Sequence, residues 1–197
     1  LITKFRHEQQ QAPEIQRLRK AIAVEALPDT AVDSVGFAAA WNALKDTHDF
    51  YPLIKSFGLN RLQALRLAPE NRAIQISFEA VKDMLAKCVE KQIPIMVFVS
   101  NPGCIQIHSG TISNLVGMGE WFNILDQEFN LHLKEDAVSS AWQVEKPSVD
   151  GDIHSLELFD DEGEMILQIF GKRKPGQAEL SEWQMLFQML NLQESKS

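Results

Sequence analysis

The sequence predicts an α+β domain: N-terminal helices packed on a large antiparallel, meandering β-sheet, with a helix closing the chain. Three observations predict it. Apolar residues recur at helical spacing as far as Gln92, the period drops to 2 after it, and helical spacing returns only over residues 181–192. Strands and helices do not alternate, which argues against a doubly wound nucleotide fold. At about 150 residues per domain, the 197-residue chain holds one domain with something left over.

Residues 1–26 read as a tether. Residues 1–6 fit the end of a helix, 7–13 (HEQQQAP) form a glutamine-rich linker, and 14–26 have helical composition without an apolar stripe. Between 31 and 67 the pattern is helical. Val35, Phe37, Ala38, Trp41 and Leu44 make one stripe, Thr47 reads as the N-cap of a second helix, Gly58 as its C-terminal stop, and Asn60 as the cap of a third that Pro69 ends. Residues 73–77 alternate as a short strand. Ser77 then caps the clearest helix, whose face is Phe78, Val81, Met84, Leu85, Cys88 and Val89.

Residues 93–100 and 104–108 read as a hairpin turned at Asn101-Pro102-Gly103. Short strands follow over 111–115, 121–125, 130–133, 141–146, 153–159 and 165–170, divided by polar glycine turns. The last helix carries the stripe Trp183, Leu186, Phe187 and Leu190.

Composition removes several classes of function. Asp and Glu number 27 against 19 Lys and Arg, a net charge of −8, which argues against a general nucleic-acid or anionic-membrane binder. The longest apolar run, 93–99, falls far short of the roughly 18 residues a membrane span needs. Two cysteines, Cys88 and Cys104, are too few for a disulfide scaffold or a zinc site and fit a reducing compartment. The chain has no signal-peptide pattern and begins without methionine, as a fragment or processed form would.

Two strands are apolar on both faces. Ile95, Val97 and Val99 oppose Met96 and Phe98, while Met165, Leu167 and Ile169 oppose Ile166, Gln168 and Phe170. One face packs on helices. The second is covered either by another protein layer or by a large apolar ligand. Lys172-Arg173-Lys174 follows one strand and Lys146 ends another. They read either as ordinary exposed loop charge or as partners for an anionic ligand tail. A glycine bulge at Gly171 would bring Arg173 back to the face of Phe170.

The chain has no P-loop, GxGxxG, GxSxG or HExxH. Of five histidines, His7 lies in the linker, His108 and His132 read as solvated, and His154 as a satisfied, partly buried core residue. His48 stands near a helix start, where the dipole favours the neutral, ligating imidazole, although a plain surface histidine fits as well.

Five segments carry a resemblance: 41–66 (WNALKDTHDFYPLIKSFGLNRLQALR), 94–110 (PIMVFVSNPGCIQIHSG), 129–134 (FNLHLK), 142–158 (WQVEKPSVDGDIHSLEL) and 168–176 (QIFGKRKPG). Together they resemble the HemS/ChuS/HmuS group of bacterial haem-utilisation proteins over roughly residues 30–192. Members of the group consist of two similar halves, and this chain looks like the C-terminal one. The resemblance makes 1–27 a remnant helix and linker from a preceding repeat and 28–197 the haem-binding α+β domain. A single-repeat ChuX/HutX-like protein is the alternative.

The resemblance makes His48, in Asp46-Thr47-His48, the axial ligand of haem iron. It assigns Arg61 to the haem site, Met96, Phe98, Gln168 and Phe170 to the pocket, and Lys146 and Arg173 to the propionates. By the same resemblance, position 170 is Phe where several relatives carry Tyr, and the group's distal arginine comes from the other half. The implied function is cytoplasmic haem binding and intracellular carriage. Haem degradation with an external reductant is the alternative, and a non-catalytic structural half-domain the third reading. Implied partners are haem, importer or acceptor proteins, and an N-terminal half or a homodimer mate.

Overall fold

The computed structural model describes residues 27–101, 103–174 and 176–194, so the tether expected over 1–27 lies, apart from Leu27, outside the described residues. Helices α1 (Ser34–Asn42), α2 (Phe50–Ser56) and α3 (Arg61–Arg66) precede strand β1 (Ala73–Ile76) and helix α4 (Phe78–Lys91). Strands β2 (Ile95–Asn101) and β3 (Cys104–Gly110) form the expected hairpin. Then come β4 (Leu115–Met118), β5 (Trp121–Leu125), β6 (Asn130–Lys134), β7 (Ser140–Lys146), β8 (Ile153–Phe159), β9 (Met165–Gly171) and helix α5 (Ser181–Glu194). This is the predicted α+β architecture. All pairings are antiparallel, in a six-stranded sheet of order β1-β7-β8-β9-β2-β3 and a three-stranded sheet β4-β5-β6.

Local chemistry sets the helix ends. The Ser77 side chain accepts from the Ala80 amide and the Asn60 side chain from the Gln63 amide, so both expected caps satisfy orphan donors. After α2, the Leu59 amide donates to the Ile54 carbonyl and the Gly58 amide to the Lys55 carbonyl, with Gly58 at φ +67°. That is a Schellman stop, and its left-handed position suits glycine. Two expectations fail at this level. Thr47 caps no helix: it lies in a 3-10 turn, Thr47–Asp49, capped by the Asp46 side chain. The strand expected over 111–115 begins only at Leu115; before it, the Ser113 and Asn114 amides donate to the Asp126 carboxylate instead of to a strand partner.

The six-stranded sheet divides two cores. One face meets α4, α5 and the inner side of the small sheet through Ile95, Val97, Leu156, Leu158, Leu167 and Ile169. Val81, Met84, Leu85 and Cys88, spaced one helical turn apart, form the buried side of α4. The opposite face meets α1–α3 through Trp142, Val144 and Phe159. Gly171 is no bulge. It pairs in register with Ile95, and a Cβ there would sit 2.5 Å from Trp183 Cγ. The irregularity in this part of the sheet lies between Leu158 and Phe159.

Candidate functional site

The helices α1–α3 cover only the β1-β7-β8 end of their sheet face. Across the strands, one row on that face reads Ile107, Phe98, Gln168, Glu157, Trp142, Gln75, and the next reads Ser109, Met96, Phe170, Ser155, Val144, Ala73. Residues paired across a sheet point to one side. Trp142 and Val144 are therefore sealed beneath the helices, while Met96, Phe98, Gln168 and Phe170 are half-buried and Ile105 and Ile107 are 56% and 57% exposed. Phe98 and Phe170 meet edge to face with centroids 5.5 Å apart. The result is an apolar, aromatic shelf open on one side, bounded by polar groups where the helices begin.

Those polar groups centre on a residue the sequence reading missed. The Glu157 carboxylate is fully buried. It accepts a forked pair from Arg61, Nε to Oε2 at 2.6 Å and Nη2 to Oε1 at 2.8 Å, and further bonds from Lys146 Nζ at 2.7 Å and Gln168 Nε2 at 2.9 Å. Burial alone would raise the Glu157 carboxyl; the charges of Arg61 and Lys146 outweigh it and hold the group well below the usual carboxylate range. Burial, and then the neighbouring Arg61 charge, push Lys146 down to about 8 despite its bond to Glu157. One carboxylate serves two cations, so the cluster keeps a net positive charge. Lys146, expected either as exposed loop charge or as a partner for an anionic ligand tail, is only 2% exposed, because Glu157 gives it a buried partner. A charged residue flanked directly by Leu156 and Leu158 was the available signal.

The face of the Phe50 ring carries both cations, with Arg61 Cζ 5.2 Å and Lys146 Nζ 4.7 Å from its centroid. Phe50 opens α2, and His48 lies two residues before it in the 3-10 turn. The His48 side chain is 93% exposed. Its Nδ1 lies 2.6 Å from Asp46 Oδ1, and its backbone amide donates to the same oxygen at 2.8 Å. A neutral ring held this way carries its proton on Nδ1 and presents an unshared pair on Nε2. The two bonds from His48, amide first, hold the Asp46 carboxyl below its ordinary value, and the charge of Arg173 acts on it too. Arg173 itself pairs with Asp150 Oδ2 at 3.4 Å.

The structure thus gathers Arg61, Lys146 and Gln168 at Glu157, ranks Met96, Phe98 and Phe170 on the adjoining shelf, and sets His48 and Arg173 beside Asp46. Among the described residues, no group of three or more His, Cys, Asp or Glu is placed to hold a metal ion. Two of the other histidines have different partners. His154 is buried between Glu179 and Glu145, as expected of a satisfied core residue. His108, expected to be solvated, stacks on Phe129 with centroids 3.9 Å apart.

Residues 58–190 match the family described as "Haemin-degrading HemS.ChuX domain". The chain belongs to this family. The HemS.ChuX assignment agrees with the curated relatives: hemin transport protein HmuS of Yersinia pestis is 36% identical over 184 residues, which make up 93% of this chain and 52% of that protein. Among solved structures, PhuS, a heme-binding protein from Pseudomonas aeruginosa, superposes with TM-score 0.82 at 45% identity, over 84% of this chain and 48% of its own. ChuS, an E. coli heme oxygenase, superposes with TM-score 0.78 at 36% identity, over 81% of this chain and 49% of its own. The chain therefore spans about half the length of these HemS-type relatives.

Proposed function

We propose that this HemS.ChuX chain binds haem on the open shelf, as a step in intracellular haem carriage and utilisation. The observation that carries the reading is the His48–Asp46 pair: an exposed imidazole whose Nδ1 is engaged at 2.6 Å and whose Nε2 is left to donate. A carboxylate behind a ligating imidazole fixes its tautomer and raises its basicity. The donor set suits an iron porphyrin, because a single imidazole serves as axial ligand where the macrocycle supplies the other four nitrogens. Met96, Phe98 and Phe170 offer the apolar wall. The net positive Arg61–Glu157–Lys146 cluster, with Gln168 and with Arg173 at the margin, offers the charge that two propionates need.

Hemin titration followed by absorption spectroscopy tests this. Wild type should take up its first equivalent of hemin tightly with an imidazole-ligated spectrum, and His48→Ala should lose that tight uptake while keeping its fold. Equally tight uptake with an unchanged spectrum in His48→Ala overturns the assignment.

Haem degradation is the second reading, favoured by the family description and by the relative named as a heme oxygenase. Bound haem supplies the redox-active iron; the residues of this chain bind it, orient it and exclude water from one face. Release of a linear tetrapyrrole on adding a reductant supports the reading, and intact haem under every reductant, with or without oxygen, removes it. A cytoplasmic setting, importer and acceptor proteins, and pairing with a second half or a second copy belong to the same proposal, with residues 1–27 as the connector. The acidic balance of the chain argues against nucleic acid as a partner.

A further inference from the structure

The outer face of the small sheet carries a second constellation, built from other elements than the first. Strands β4, β5 and β6 send Leu115, Phe122, Ile124, Leu131 and Leu133 to the core. The alternate residues face outward. There His132 is in register with Asn123 and Asn123 with Val116, while Trp121 is in register with Met118 and Lys134. Met118, Trp121, Asn123, Leu125 and His132 line a concavity of about 440 Å³, within the size of ordinary ligand sites. Met118 and Trp121 are large apolar side chains left exposed there, an arrangement that marks interaction surfaces.

The orientation of His132 is determined. The Asn123 amide nitrogen donates to the Val116 carbonyl at 3.0 Å and to the Trp121 carbonyl at 3.2 Å, which leaves its Oδ1 as an acceptor. His132 Nδ1 lies 2.7 Å from that Oδ1 and so carries the proton, and Nε2 carries the unshared pair. The device repeats that of Asp46 and His48, with a neutral amide in place of the carboxylate. A fixed nitrogen donor set among Trp121, Met118 and Leu125 suits a ligand with a flat apolar body and a Lewis-acid metal at its centre.

We infer that this face is a second iron-porphyrin site, with His132 Nε2 as the donor to iron and Trp121 and Met118 as the apolar wall. Lys134, next on the same face, is paired with Glu120 and Asp136. Its charge is already neutralised, so the porphyrin carboxylates stay in solvent, and binding rests on the iron bond and apolar contact. The amide acceptor strengthens the imidazole less than a carboxylate does, so this site is weaker than the one at His48 by about tenfold or more. It stands on different residues from the His48 assignment and does not depend on it.

The test is the stoichiometry of hemin uptake by the full 197-residue chain, with absorption and electron paramagnetic resonance as readouts. Wild type should bind two equivalents, His132→Ala one, His48→Ala one, and the double variant none with an imidazole signature. Trp121→Ser, which leaves the imidazole in place, should weaken the second equivalent several-fold without changing the first. Circular dichroism checks the fold of each variant. An imidazole-type spectrum that persists in His48→Ala and disappears on adding His132→Ala supports the site, whatever becomes of the first one. Saturation of wild type at one equivalent, with its imidazole spectrum lost in His48→Ala, overturns it. So does a second equivalent bound equally well by His132→Ala, which is adsorption without an iron bond.

Discussion

Asp46 Oδ1 takes two hydrogen bonds from a single residue, one from the backbone amide of His48 and one from its ring. The first caps the 3-10 turn and the second sets the tautomer. Backbone and side chain are thus fixed by one atom, and an imidazole that is almost wholly exposed still has a defined direction. The cost of ordering it is met during folding rather than when a ligand arrives.

Replacing Asp46 separates these roles. Asp46→Ala should lower hemin affinity about 10-fold, the lower end of the effect of losing a partner behind a ligating histidine, while the imidazole spectrum persists. Asp46→Asn, whose amide oxygen can still accept from Nδ1, should recover part of the loss. Titration of the three proteins checks this, and equal affinities would remove Asp46 from the site.

Gly171 gives a prediction about the fold alone. A Cβ at this position would lie 2.5 Å from Trp183 Cγ and 2.8 Å from Cδ1, and Trp183 is fully buried. The indole is also pinned by its Nε1–H bond to the His154 carbonyl at 3.1 Å, so it cannot swing aside. Gly171→Ala should destabilise the chain by about 1–3 kcal/mol, the range for overpacking, seen as a lower urea midpoint at unchanged slope.

What the sequence made legible follows the range of the interactions. The α4 helix and its Ser77 cap, and the hairpin at Asn101–Cys104, depend on neighbours within a few residues, and periodicity reads them directly. The strand order β1-β7-β8-β9-β2-β3 does not, because β1 pairs with β7, whose residues follow only after α4 and five intervening strands. Alternation alone groups the shelf residues, Met96 with Phe98 on one strand and Gln168 with Phe170 on the other. Glu157 stayed hidden because its partners Arg61 and Lys146 lie 96 and 11 residues away, and a glutamate within a strand looks like a solvent-facing position. Gly171 was misread for a similar reason: the tryptophan that requires it belongs to α5.

His154 predicts how stability varies with pH. Burial would lower its pKa, but hydrogen bonds to Glu145 and Glu179 raise it to about 9. The folded state then binds its proton more tightly than the unfolded state, whose histidine titrates near 6.5. The stabilisation is complete below that value and is lost as pH rises through about 9. Thermal melts between pH 6 and pH 10 should show the midpoint falling across this window, and His154→Phe should flatten it. A wild-type slope that survives in His154→Phe would assign the effect to another group.

Lys146 makes the charge of the shelf depend on pH. Its ammonium is pushed down to about 8 by burial and by Arg61, while Glu157, bonded to both cations, remains ionised far below that. Below about 8 the cluster carries two cations against one carboxylate; above it, Lys146 gives up its proton and the excess positive charge disappears. A ligand that brings carboxylates to this cluster binds the protonated form better, so its affinity should hold at neutral pH and fall as the solution becomes alkaline. Metal-free protoporphyrin IX is the suitable probe, because it keeps both carboxylates and removes competition of hydroxide for iron. Fluorescence titrations at pH 7 and pH 9.5 should show wild type weakening several-fold. Lys146→Met should bind weakly at both values with little slope. Parallel slopes in the two proteins would mean that Lys146 does not sense the ligand, and the carboxylates would then have to be sought at Arg173 alone.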